Sequence, residues 1–307
     1  MNPAVQAIVQ RVSQTYGRWR RDTTVAQMRA DWDALFSARA EALVEAVDAN
    51  GVPCQWICAP GARENRVVVY FHGGGFQVGS LASHAELMAD VSSAAQARVL
   101  AVDYRLAPEH RYPAALDDAL SAWRWLSGQG VKPSQVAVAG DSAGGGLALS
   151  LLLALQARGE PLPSAFWGMS AWTDLTASGS SYETRSALDP IHQRPMIVAM
   201  ARNYLGAEGN VRDPLVSPLL ATPAQLGALP PMLLQVGERE TVVSDSEDFV
   251  LKARLAGAQA ELQIWPEMIH VFQQFPAELP EAQQALEAGG QFLAAQFDAA
   301  STRERHP

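Results

Sequence analysis

The chain has 307 residues, 48% of them hydrophobic, with 32 acidic against 23 basic side chains and a formal net charge of −9. That length supports one large α/β domain with a substantial core, or two small ones, and the composition is that of a folded protein. The acidic balance argues against nucleic acid and against an anionic membrane surface as partners, and no run of about 18 apolar residues offers a membrane span.

Residues 1–45 carry helical periodicity. Val5, Ile8, Val9 and Val12 fall on one face, and Thr24 is placed to cap a second helix running to about Phe36. Trp19, Met28, Trp32 and Phe36 add large apolar groups, so the region reads as a helical lid. Residues 1–17 lack the basic-then-apolar pattern of a secretory leader. Cys54 and Cys58, four apart on one predicted strand, share a face beyond easy disulfide reach. They are expected as free thiols, and the compartment as cytoplasmic.

Residues 44–60 read as strands turning at Asn50-Gly51, a hairpin signal. The apolar runs 67–71, 99–102 and 136–139 read as buried strands, with further strands at 165–171, 232–236 and 262–265. Helices are expected over 113–125, 147–157, 244–256 and 280–299, and a loose tail over 301–307. Such alternation predicts a mostly parallel sheet covered by helices on both faces. Residues 179–209 interrupt it with polar turns and a helix over 196–204. An insertion after a strand's carboxyl end lies on the ligand side of such a sheet. The expected division is a cap of 1–45 and 179–209, and an α/β domain of 46–178 and 210–300.

Gly140-Asp141-Ser142-Ala143-Gly144 lies between the 136–139 strand and the helix that follows. Gly-x-Ser-x-Gly at a strand-to-helix turn is a nucleophile elbow: a tight, strained turn with small neighbours that lifts the serine above the sheet. Alone it is a weak signal, and it demands a base, an acid and an oxyanion hole. His72-Gly73-Gly74-Gly75 directly follows the 67–71 strand. Three glycines cost backbone entropy that a plain loop would avoid, and they suit a backbone presenting N–H groups to a ligand. Gly74, Gly75 and Ala143 are the candidate oxyanion donors. Gly73 serves the turn, and His72 reads as an orienting group for the loop.

Of the six histidines, His84, His110 and His192 stand in polar context and His306 in the tail. His270 follows the last strand, where the order Ser…acid…His puts the base. The acid is expected after the 232–236 strand, and three carboxylates compete there. Glu240 lies just past the strand on a loop that can turn toward the base. Asp245 reads as the start of a helix, where a carboxylate also caps. Glu238 is nearest the strand.

With these stretches the chain resembles the bacterial hormone-sensitive-lipase-like esterases, which are α/β-hydrolases. The resemblance rests on His72-Gly73-Gly74-Gly75-Phe76, Asp103-Tyr104-Arg105-Leu106-Ala107-Pro108-Glu109-His110, Gly140-Asp141-Ser142-Ala143-Gly144-Gly145, Asp213-Pro214 with Ser217-Pro218, and Met268-Ile269-His270-Val271-Phe272. It spans about residues 65–275, in the family's order and spacing. It implies an α/β-hydrolase fold, Ser142 as nucleophile, His270 as general base, and N–H groups of the glycine loop and Ala143 around the oxyanion. It also implies short- to medium-chain carboxylic esters as substrates and pairing of two copies through an edge strand. The family's acid is commonly an aspartate in an Asp-Pro-Leu type loop. Here Glu240-Thr241-Val242 stands at the matching place, and a glutamate performs the same electrostatic task with one more methylene.

The implied chemistry is acyl transfer through an acyl-enzyme, needing neither metal nor organic cofactor. Asp103, Arg105 and Glu109 read as a structural ion-pair network, and Asp141 as a hydrogen-bonding brace for the elbow. Three rival readings fit less well. The plant gibberellin receptors look like this family but have lost the catalytic histidine, which is present here. Peptidases of this fold usually carry a large extra domain, and the stretch before the first strand is too short for one. Epoxide hydrolases of this fold use an aspartate at the elbow, where this chain has Ser142.

Overall fold

The structure is a computed structural model and describes residues 2–20, 22–36 and 42–305. The stretch 37–41 of the expected cap and residues 306–307 of the expected tail lie outside the described residues.

Helix α1 (Pro3–Tyr16) starts at Asn2, whose side chain accepts the Ala4 N–H. Helix α2 (Val25–Leu35) starts at Thr24, whose hydroxyl accepts the Gln27 N–H. Strands β1 (Leu43–Asp48) and β2 (Pro53–Cys58) pair antiparallel. They turn at Asn50 and Gly51, which carry φ of 58° and 87°, the two left-handed residues that a type I′ hairpin needs. Cys54 and Cys58 are free thiols on β2.

Then follow β3 (Arg63–Phe71), α3 (Ala85–Ala95), β4 (Ala97–Val102), α4 (Ala114–Gly128), β5 (Val136–Asp141) and α5 (Ser142–Ala157). After β6 (Ala165–Met169) come the short α6 (Ser181–Thr184), α7 (Arg194–Leu205) and the short α8 (Pro223–Gly227). The chain closes with β7 (Met232–Gly237), α9 (Val243–Leu255), β8 (Ala260–Trp265) and α10 (Pro280–Arg305). No helix among the described residues is long and apolar enough to cross a membrane.

The eight strands form one sheet in the order β1-β2-β4-β3-β5-β6-β7-β8. β2 meets β4 antiparallel, and the strands from β4 to β8 run parallel to their neighbours. The continuous apolar runs follow from burial on both faces. Val67, Val69 and Phe71 point to one side with α4, α5 and α9. Val68 and Tyr70 point to the other with α3 and α10. A third cluster joins Val5, Ile8 and Val12 of α1 to Met268, Ile269 and Phe272, so α1 packs directly against the segment that carries His270.

Three expectations need correction. Helix α3 lies in a stretch expected to hold no element; its buried Leu87, Met88, Val91 and Ala95 give it a helical face. Helix α5 starts at Ser142 rather than Leu147. Its glycine-rich first turn looks like a breaker in sequence, but close packing against neighbouring backbone holds it. Helix α10 continues to Arg305, through most of the tail expected to be loose. No residue between Ala299 and Arg305 breaks a helix, Ala300 is buried, and the Thr302 hydroxyl donates to the Asp298 carbonyl at 2.9 Å.

Candidate active site

Strand β5 delivers Ser142 into the first position of α5 with φ of 51°, a region that costs a non-glycine residue strain. The surroundings fix this conformation. Gly144 lies so close to the Phe71 carbonyl that a Cβ there would collide with it. The Ser142 carbonyl accepts the Trp172 N–H at 2.9 Å.

The segment after β8 brings His270 over this serine. His270 Nε2 lies 2.8 Å from Ser142 Oγ, and its Nδ1 lies 2.7 Å from Glu240 Oε2. The contact to Glu240 requires a proton on Nδ1, which leaves Nε2 as the acceptor facing the serine hydroxyl. Burial disfavours the imidazolium, but the charge and hydrogen bond of Glu240 outweigh it, with Asp189 and Asp141 adding. The His270 pKa is raised above its ordinary 6.5.

Glu240 is fully buried. Its Oε1 accepts the Ser170 hydroxyl at 2.7 Å and the Gly237 N–H. Ser170 Oγ in turn accepts the Val271 N–H at 3.0 Å, next to His270. The other two carboxylates turn elsewhere. Asp245 Oδ2 accepts the N–H groups of Thr173 and Asp174 at 3.0 and 2.9 Å. Its pKa is driven well above the usual range, burial being the main cause. Glu238 accepts the Glu267 N–H on the surface.

Gly74 and Gly75 line the same cavity as Ser142 and His270. Gly74 carries φ of 115°, and a Cβ there would strike the Val78 carbonyl. Among the described residues, neither glycine N–H has an acceptor within the chain. The Ala143 N–H stands in the first turn of α5, where no intrahelical acceptor exists. Among the described residues, three donors therefore remain unpaired around the serine.

Asp141 ties this loop to the elbow. Its Oδ1 accepts the Tyr70 hydroxyl at 2.8 Å and the Gly73 N–H at 3.0 Å, and His84 Nε2 stands 3.4 Å from its Oδ2. Burial opposes the charged form, but His84 and the Tyr70 hydroxyl outweigh it and hold the carboxyl below its usual range. His72 Nδ1 sits 2.7 Å from the Gly73 carbonyl, and its ring stacks on Tyr104 at 4.5 Å. Burial, with the charge of His84 adding, pushes that imidazole down to about 3, so it stays neutral.

The charged trio does not form one network. Arg105 pairs with Asp118 at 2.7 Å, Glu109 pairs with Arg29 of α2 at 2.8 Å, and the Asp103 N–H donates to the Pro53 carbonyl. Sequence reasoning missed His192. Its polar neighbours disguise a buried residue whose ring lies edge-on to His270 at 4.3 Å. Burial first, then the charge of His270, pushes its pKa down to about 3. Ser170 and Asp189 were missed as well, because the contacts that tie them to this site, Ser170 to Glu240 and Asp189 to Thr241, span 70 and 52 residues.

A cavity of about 200 Å³ opens above Ser142. Trp19, Trp32 and Phe36 from the α1–α2 region and Met196 and Met200 from α7 form much of its wall. Its wall is mostly apolar, with the polar side chains of Gln77, Asn203 and Gln274 among it, and at the Ser142 end stand a hydroxyl, an imidazole and unpaired backbone donors. Such a site suits a carbonyl compound with an apolar substituent.

Comparison with known proteins shows the family. A family model described as alpha/beta hydrolase fold matches residues 68–274. An acetyl-hydrolase of Streptomyces hygroscopicus is 41% identical over 239 residues, 78% of this chain and 78% of that protein. A crystal structure of an esterase from the bacterial hormone-sensitive lipase family superposes with a TM-score of 0.92 at 39% identity, covering 97% of this chain and 99% of the other. The esterase EstE5, in a crystal soaked with p-nitrophenyl butyrate, superposes with a TM-score of 0.89 at 36% identity, covering 97% of this chain and 100% of the other. The chain belongs to the α/β-hydrolases, in the branch of the bacterial hormone-sensitive-lipase-type esterases.

Proposed function

We propose that this serine ester hydrolase cleaves short- to medium-chain carboxylic esters with a Ser142–His270–Glu240 triad through an acyl-enzyme. The observation that carries the reading is the unbroken chain of two contacts, 2.8 and 2.7 Å, from serine to imidazole to buried carboxylate. His270 takes the Ser142 proton as Oγ attacks the ester carbonyl, and Glu240 stabilises the imidazolium. The oxyanion lies among the N–H groups of Gly74, Gly75 and Ala143, each worth about 3 kcal/mol to the transition state. His270 returns the proton to the leaving alcohol. It then activates a water that releases the acid.

The chain-length preference rests on the size of the cavity, about 200 Å³. We assign residues 1–45 and 179–209 to a cap and residues 46–178 and 210–300 to the catalytic domain. This division is supported by the side chains from both cap segments in the cavity wall. Two further readings complete the proposal. The chain pairs as a homodimer along the free edge of β8, where Ile264 and the neighbouring Leu251 and Leu255 of α9 are exposed. Its compartment is the cytoplasm, in keeping with two cysteines that remain thiols.

Nitrophenyl esters of increasing acyl length, from acetate to palmitate, test the activity in wild type and Ser142→Ala. Hydrolysis that peaks at the short end and disappears in the variant supports the proposal. Full activity in a folded Ser142→Ala protein overturns it. Light scattering of wild type against Ile264→Asp decides the dimer.

A further inference from the structure

Asp189 lies in the insertion between β6 and β7 and is 5% exposed. Its Oδ1 accepts the N–H groups of Ile191 and His192, both at 2.9 Å. Its Oδ2 accepts the Thr241 N–H at 2.8 Å and the Thr241 hydroxyl at 3.1 Å. Thr241 is the residue after Glu240, and the His192 ring lies across that of His270. One buried carboxylate is therefore bonded to the neighbour of the acid and to the residue packed on the base.

Four donors compensate the burial of this charge, yet no cation pairs with it among the described residues. An amide could not replace it. Its oxygen could accept one pair of donors, but its NH₂ would then face the other pair. A full negative charge at this place has a further use where a positive charge develops nearby. We infer that Asp189 is a positioning residue of the ester hydrolase: it holds Glu240 in place through Thr241, seats His192 against His270, and supports the imidazolium by its charge. This inference rests on the triad reading above.

The groups that face His270 come from several elements. Glu240 follows β7, Asp141 and Ser142 belong to the elbow, and Asp189 and His192 belong to the insertion, while Tyr16 of α1 packs on His192 behind it. His192 is neutral, its pKa pushed to about 3 by burial and by His270. Tyr16 is neutral too, its pKa pushed up by burial and by Asp189. The charges that remain are the three carboxylates, and all of them favour the protonated base. Removing the charge of Asp189 must lower the pKa of His270.

The test measures kcat, KM and the pH profile of p-nitrophenyl butyrate hydrolysis for Asp189→Asn and Thr241→Val, with thermal unfolding as the control for folding. Asp189→Asn is expected to lose about 10- to 100-fold in kcat, the scale of a small misplacement of a catalytic group, with KM unchanged. The acid limb of kcat/KM moves to lower pH, a shift that a purely structural role would not produce. Thr241→Val loses less and leaves the limb in place. A folded Asp189→Asn protein with wild-type kcat and an unmoved limb overturns the inference. If Asp189→Asn does not fold, Thr241→Val decides: a lower kcat at unchanged KM supports the inference, and wild-type kcat overturns it. Glu240→Gln runs alongside. Full activity there refutes the triad itself, whatever Asp189 does.

Discussion

Below the cavity, Ser142, His270 and Glu240 stand at the ends of β5, β8 and β7, and directional bonds hold each of them. Above it, α2, α7 and the segment between α1 and α2 meet the same space with Trp32, Met196, Met200 and Trp19, which are apolar or nearly so. Tyr16 packs edge-on against Trp19 at 4.8 Å, and Trp32 packs against Phe36 at 5.0 Å. A buried carboxylate or imidazole that loses a partner is left with an uncompensated polar group. A methionine or tryptophan in a cavity wall loses only dispersion and area, and its neighbours can fill part of the gap. The floor should therefore be intolerant of change and set the rate, while the roof should be tolerant and set the choice of substrate.

Ser142→Ala is the largest expected effect. It removes the hydroxyl proposed to form the acyl bond, and kcat should fall about 10⁶-fold in a protein that keeps its fold. Glu240→Gln comes next, with a loss of about 10⁴-fold, since an amide at Oε2 no longer supports the imidazolium. Its pH profile carries the sign. His270 must be neutral to take a proton, so wild-type activity falls as the pH drops through a pKa that lies above 6.5. Without the Glu240 charge that pKa falls, and the acid limb should move to lower pH even as the plateau collapses. A limb that stays in place would show that the charge of Glu240 does not govern the base. Gly74→Ala should cost 10²- to 10³-fold in kcat, on the order of one lost oxyanion donor, because the new Cβ strikes the Val78 carbonyl and moves the N–H. A change confined to KM would remove Gly74 from the oxyanion hole.

The smallest expected effect sits in the roof. Met200→Ala should leave kcat on the best ester nearly unchanged and move the preferred acyl length upward. The change in relative kcat/KM should be about 1–3 kcal/mol, the scale of a methylene or two in an apolar pocket. Measuring the nitrophenyl series on this variant sharpens the contrast between floor and roof. If Met200→Ala costs as much kcat as Gly74→Ala, the contrast is broken.

Much of this arrangement is legible in the sequence. The runs around Val67 and Val136 are continuous because both faces of the sheet are covered, and the pattern states it directly. Ser142 and His270 are legible because a strained elbow and a loop after the last strand leave few alternatives. The proposed acid is less so. Glu238, Glu240 and Asp245 lie within eight residues of one another, and only the path of the loop decides which one turns to the imidazole. Glu240 does because Ser170, 70 residues away, and the Gly237 N–H hold its other oxygen. Helix α3 escapes because small residues dilute its apolar face. Ser170, Asp189 and His192 escape for one reason: each works through a contact that spans tens of residues, and local pattern carries no trace of it.

Trapping the acyl-enzyme tests the central claim most directly. Wild-type protein mixed with p-nitrophenyl butyrate and quenched in acid within one turnover should gain the mass of one butyryl group. Peptide mapping should place that group on Ser142, and Ser142→Ala should take up none. A butyryl group on another residue, or turnover with no acyl adduct and full activity in Ser142→Ala, would contradict the account.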